Sequence, residues 1–256
     1  MDLKALAAAA TLALLLPLPA LAGVPVDVEI RDHTTGDVLP AYWHDGERYV
    51  VGEPGREYEI RLRSGGGGRI LAVTSVDGVN VISGKTAAPL GSGYVLDPWS
   101  VLDIDGWRKS MAQVAAFYFT ALPDSYAART GRPDNVGVIG VALFRELEPM
   151  PLAYGGYGHP DAPQPAAEGT AERKSSRAQD GLARQDERLG TGHGRRLDSG
   201  ATYTSFDRAS DEPDEVIRIY YDSRRNLVAR GIIPQPHDRF AERGPDPFPN
   251  GFVPDP

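Results

Sequence analysis

A chain of 256 residues without a single cysteine has to hold its fold by packing alone, because no disulfide is available to it. Its formal net charge of -8 argues against a general nucleic-acid binder and against electrostatic docking on anionic lipid. Arginine outnumbers lysine 23 to 4, and Ala, Gly and Pro are abundant, a bias that fits a GC-rich bacterial coding sequence.

Residues 1–22 read as a secretory signal peptide. A short charged start, Asp2 to Lys4, precedes the apolar run Ala5 to Leu16, and Ala20-Leu21-Ala22 supplies the small residues of a cleavage site after Ala22. The alternative is an uncleaved anchor, but the run falls short of the ~20 apolar residues a spanning helix needs. No later segment meets that length, so no transmembrane segment is expected in the mature chain. Export to the periplasm or beyond is the expected localisation. No Asn starts a glycosylation sequon.

From Val24 the pattern has period two. Val24, Val26, Val28 and Ile30 alternate with polar residues, as do Tyr58, Ile60 and Leu62, which predicts strands with one buried face. Opposite charges on the exposed faces are expected to meet across the sheet. The Ser64–Gly68 stretch, SGGGG, reads as a hairpin loop to the next strand, which runs to Val76. Asp77-Gly78 is a turn, and short strands follow around Val79, Tyr94 and Val101, punctuated by Asp97-Pro98 and Asp105-Gly106. The segments Val114–Phe119 and Val136–Phe144 are apolar on both faces and are expected to be central strands, with Gly137 and Gly140 marking close backbone approach.

Beyond Glu148 the pattern changes. Residues 149–200 are Pro, Gly, Ala and balanced charges, which predicts a flexible, disordered linker. Residues 201–234 contain the alternating run from Glu215 to Tyr221, a turn at Asp222–Asn226, and an apolar return from Leu227 to Ile233. This reads as a C-terminal β-hairpin that must dock elsewhere, because two strands alone are marginal in water. The Pro-rich tail 235–256 has no packing pattern. Together these predict an all-β fold, an antiparallel β-sandwich of jelly-roll or Ig-like type over 23–148, followed by linker, hairpin and tail.

Several blocks carry a resemblance: DGVNVISGKTA from Asp77, GYVLDP from Gly93, IDGWRKS from Ile104, and LPDSYAARTGRPDNVGVIGVA from Leu122, with weaker stretches from Leu189 and Asp214. In these blocks the chain resembles an uncharacterised family of exported bacterial proteins. The resemblance implies one folding unit with a C-terminal hairpin, and it assigns no catalytic residue.

Candidate chemistry is sparse. The five His residues show no ligand spacing, so no metal site is predicted, and Asp103-Ile104-Asp105-Gly106 lacks the further acids of a calcium loop. The run Gly190–Arg196 has the flavour of a phosphate cradle without the strand and helix such a cradle needs, and it reads as linker. Ser83 and Ser92 sit in no nucleophile motif. Trp43, Trp99 and Trp107 are candidates for sugar stacking, although a core or sheet-edge place suits each better.

The loop between the two central strands is the remaining candidate binding site. Asp124, Ser125, Tyr126, Arg129, Arg132 and Asp134 lie in a connection longer than most, and long ordered loops are disproportionately functional. The competing expectation is that its arginines pair with its acids to order a crossover between two sheets. The expected function is a non-catalytic binding or structural module of the bacterial envelope, with an envelope protein or glycan as partner. The alternatives are a secreted hydrolase acting on envelope polymers and a self-assembling surface protein. No cofactor is predicted.

Overall fold

A computed structural model describes residues 26–148 and 188–234. The predicted signal peptide, residues 149–187 of the predicted linker and the Pro-rich tail lie outside the described residues.

The alternating pattern becomes strands where it was strongest. In β1 (Val26–Asp32) and β4 (Glu57–Ser64), Val26, Val28, Ile30, Tyr58, Ile60 and Leu62 are buried. The two strands pair antiparallel with Ile30 opposite Ile60. The charges meet on the other face as expected: Arg61 grips Asp103 with two bonds of 2.5 and 2.6 Å, Arg31 reaches Glu59 at 3.5 Å, and Arg63 reaches Glu29 at 3.7 Å.

The remaining strands are β2 (Ala41–His44), β3 (Glu47–Val51), β5 (Ile70–Val76), β6 (Val79–Asn80), β7 (Tyr94–Leu96), β8 (Val101–Ile104), β9 (Gly106–Arg108), β10 (Gln113–Ala121), β11 (Val138–Arg145), β12 (Leu189–Asp198) and β13 (Glu215–Asp222). They build two sheets. One is six-stranded, in the order β1-β4-β10-β12, with β8 on β4 and β9 on β10. The other is seven-stranded, in the order β2-β3-β13-β11-β5-β6, with β7 on β5. Pairing is antiparallel except for β3 with β13, which run parallel. The sheets pack as an all-β sandwich around Tyr58, Ile60, Leu62, Phe117, Phe119, Ile139, Leu143 and Ile219.

Residues 122–137 cross from β10 in one sheet to β11 in the other, the crossover that the sequence offered for this connection. Three local expectations change. β4 and β5 are not a hairpin: β4 is flanked by β1 on one side and by β8 and β10 on the other, so the glycine-rich connection carries the chain to the opposite sheet. Residues 189–198, expected in the linker, form β12 along the whole of β10. The predicted C-terminal hairpin is one strand, β13, inserted between β3 and β11, followed by the helix α1 (Arg224–Ala229) rather than a returning strand.

Helix α1 has the signals of a short helix. Ser223 accepts the amide of Asn226 at 3.3 Å as N-cap, and Gly231, at φ 73°, ends it by letting Ile232 bond back to the Leu227 carbonyl. Its Leu227 packs with Tyr49, Ile232 and Ile233 over the outer face of the seven-stranded sheet.

Candidate functional site

The predicted loop is a crossover with its own structure. Leu122–Asp124 and Pro133–Asn135 are single helical turns, and Tyr126–Arg129 is a helical turn capped by Ser125, whose hydroxyl accepts the Ala128 amide at 3.1 Å. Ser125 is fully buried in that role. Arg129 meets Asp124 at 3.2 Å, both exposed. Arg132 donates to the Gly84 carbonyl at 3.0 Å and to Thr130. Tyr126 packs at a tilt against Trp107 and against His193, and Asp134 is exposed. The six residues therefore share one connection, but only Asp124 and Arg129 pair with each other, and none of the six lines the cavity described below.

The main polar feature of the interior was not expected. Asp77 and Gly78, at φ 52° and 72°, form the two-residue turn between β5 and β6, a geometry for which Asp-Gly is a preferred pair. The turn sends the Asp77 carboxylate between the sheets, where it is 1% exposed. One oxygen accepts the Gly137 amide at 2.9 Å and the Tyr221 hydroxyl at 2.5 Å; the other accepts the Thr191 amide at 2.8 Å. The Thr191 hydroxyl lies 2.7 Å from both the Tyr221 and the Tyr58 hydroxyls. A continuous hydrogen-bonded chain thus joins β4, β12, β13 and the β5–β6 turn. Burial pushes the Asp77 carboxyl up to about 6, although its three donors favour the charged form. Burial, followed by the nearby Asp77 charge, raises both tyrosines well above the ordinary phenol range.

Tyr58 links this chain to a concave surface. A cavity of about 420 Å³ opens at the end of the sandwich where β3 passes to β4, a size within the usual range for small-molecule sites. Its floor is Tyr58 and Phe119, stacked with centroids 4.4 Å apart, and Leu39, Tyr42, Val51 and Pro54 complete apolar walls. The turn over it is pinned: Gly52 donates to the Asp222 carbonyl, Gly55 to the Phe119 carbonyl, and Phe119 to the Arg56 carbonyl. A β-carbon on Gly52 would stand 2.5 Å from Leu189 and 2.7 Å from Phe119, so only glycine lets the turn approach so closely.

The polar groups at the rim are mostly engaged. Asp32 accepts the amides of Thr34 and Thr35 and lies 3.3 Å from Arg56, which also meets Glu53 at 3.6 Å. Glu57 takes two bonds from Arg195, and Ser223 caps α1. Arg224 is exposed and, among the described residues, meets no carboxylate or other polar partner.

Other candidates resolve differently. His33, Glu59 and Asp105 bring one ligand atom each within 4.8 Å of one another. Arg31 and Arg61 already lie 3.5 and 3.7 Å from Glu59, so the charge that would attract a divalent cation is met by guanidinium. Gly190–Arg196 lies in β12 and offers no helix start to a phosphate. Trp107 is buried and donates to the Gly192 carbonyl at 3.0 Å, Trp43 sits on the edge strand β2, and Trp99 is 78% exposed against Gly66. Neither protein-family models nor curated proteins nor solved structures give a match to this chain.

Proposed function

We propose that this chain is a non-catalytic binding module of the bacterial envelope, exported by its N-terminal segment, that holds a small, largely apolar ligand in the cavity at the β3–β4 end. The observation that carries the proposal is the pairing of an apolar, aromatic-floored cavity with a floor held in place by the Tyr58–Thr191–Tyr221–Asp77 chain. A rigid concave surface lowers the ordering cost of binding.

The polar lining favours binding over chemistry. Catalysis by acid and base needs groups free to accept and return a proton. Here the acids and the serine of the rim cap backbone amides or pair with arginines, and among the described residues no histidine lines the cavity. The serine of the crossover, Ser125, is buried and caps its own helical turn, which favours a structural role for it over that of a hydrolase nucleophile.

The test is a titration with a neutral naphthalene-type probe followed by backbone amide NMR. Saturable shifts confined to Val51–Glu57, Phe119 and Ser223 are expected. Shifts scattered over the surface, or none, would count against the cavity as a binding site.

A further inference from the structure

We infer that the ligand of this cavity is an amphiphile with an apolar body and a single carboxylate head read by Arg224, an inference that rests on the binding role proposed above. The walls accept hydrocarbon: Leu39, Tyr42, Val51 and Pro54 surround the faces of Tyr58 and Phe119. Such a lining gives affinity to an apolar body and no orientation to it. Orientation has to come from the rim.

The rim charges leave one group to supply it. Three acids, Asp32, Glu53 and Glu57, face three arginines, Arg56, Arg195 and Arg224. Asp32 and Glu53 share Arg56, at 3.3 and 3.6 Å, and Glu57 is taken by Arg195 through a fork of bonds at 2.9 Å. Each acid thus touches a guanidinium, although Arg56 serves two of them, whereas Arg224 has no partner among the described residues. It stands at the mouth, beside an apolar interior that would exclude water from one side of a bound carboxylate. A guanidinium forms two parallel bonds to a carboxylate, so a single head group satisfies it. A neutral ligand would leave it unused.

Calorimetric titration of the full chain with paired probes tests this. Dodecanoate and dodecanol share an alkyl body, naphthoate and naphthalenemethanol an aromatic one, and each pair exchanges a carboxylate head for an uncharged hydroxymethyl. In at least one pair the acid is expected to bind about tenfold more tightly than the alcohol, a preference that shrinks as salt is raised. The pair that shows it tells an alkyl from an aromatic ligand. In Arg224→Glu the preference disappears while the affinity for the alcohol stays the same. Because Arg224 is exposed and has no partner among the described residues, that variant keeps the thermal midpoint of the wild type, which checks that it folds. Equal binding of acid and alcohol would overturn the carboxylate inference and leave the cavity a binding site. A preference retained in Arg224→Glu would overturn Arg224 as its reader. Absence of binding by all four probes would overturn the binding role itself, and the inference with it.

Discussion

At Asp77 burial and hydrogen bonding oppose each other, and the pH dependence of stability follows from the balance. The unfolded carboxyl titrates near 3.8 and the folded one at about 6, so the folded state holds its proton more tightly. The contribution of this group is therefore full below about pH 4 and declines as pH rises through 6, by about 3 kcal/mol. Asp32 and Asp214 run the other way. Burial disfavours their charge, but the amides of Thr34 and Thr35 in one case and Arg145 in the other outweigh it, so their contribution is lost only as pH falls into the acid range. Asp77→Asn separates these effects. It removes the ionisation and turns an amide NH2 toward N–H or O–H donors, at a cost of about 1–3 kcal/mol against the protonated carboxyl near pH 4. Urea unfolding from about pH 4 to about pH 7 should show the stability gap between wild type and variant shrinking by about 3 kcal/mol as pH rises. A gap independent of pH would contradict the assignment. In the crossover, Ser125→Ala removes a buried cap and should cost about 1 kcal/mol or somewhat more, whereas Arg129→Ala breaks only an exposed pair and should stay within about 0.5 kcal/mol. Thermal unfolding of the two variants distinguishes the roles.

Among the elements, β12 shows why part of the fold was hidden in the sequence. Its segment, LGTGHGRRLD, lacks the apolar alternation that marks a strand, because Gly190, Gly192 and Gly194 stand where side chains would be read. A β-carbon on Gly190 would lie 2.6 Å from Ser125, one on Gly192 would strike the Tyr118 ring, and one on Gly194 would lie 2.9 Å from the Ala116 carbonyl. The period-two glycines were themselves the strand signal, but read by composition they look like linker. Helix α1 was masked in another way: Leu227, Val228, Ile232 and Ile233 suit a strand, and only the capping pair Ser223 and Gly231 marks the helix. By contrast β1, β4, β7 and β8 were legible from alternation and turns alone. Close packing between elements also sets a test at Gly106 in β9. A β-carbon there would overlap the Ala115 carbonyl in the paired strand β10, which cannot move without opening the ladder. Gly106→Ala should cost about 2 kcal/mol or more by denaturant unfolding, and more than Gly192→Ala, where the ring of Tyr118 can swing aside.

For the molecule as a whole, the sandwich and its alternating strands were readable, but its closure was not. Sequence places the core in one continuous stretch ending near Glu148, since local periodicity reports which face of a strand is buried and says nothing of which strand lies beside it. In the folded chain β13 lies in the middle of one sheet and β12 completes the other. The cavity depends on both: Ser223 and Arg224 follow β13, and the Tyr58 hydroxyl that fixes the floor is joined to Asp77 through Thr191 of β12, whose amide reaches the carboxylate directly and whose hydroxyl reaches it by way of Tyr221 of β13. The Asp77-Gly78 turn was legible as a turn, yet nothing in its local sequence signals that the carboxylate ends up between the sheets, because its three donors come from distant segments. The strands on either side of residues 149–187 form one cooperative unit enclosing the site, and native-state amide hydrogen exchange on the full chain measures that cooperativity. Buried amides of β13, such as Ile219 and Tyr221, are expected to open with the same free energy as those of β4, β10 and β11. Exchange of β12 and β13 at a markedly lower free energy, with the other strands still protected, would show instead that they close the sheets as a separate, weaker unit.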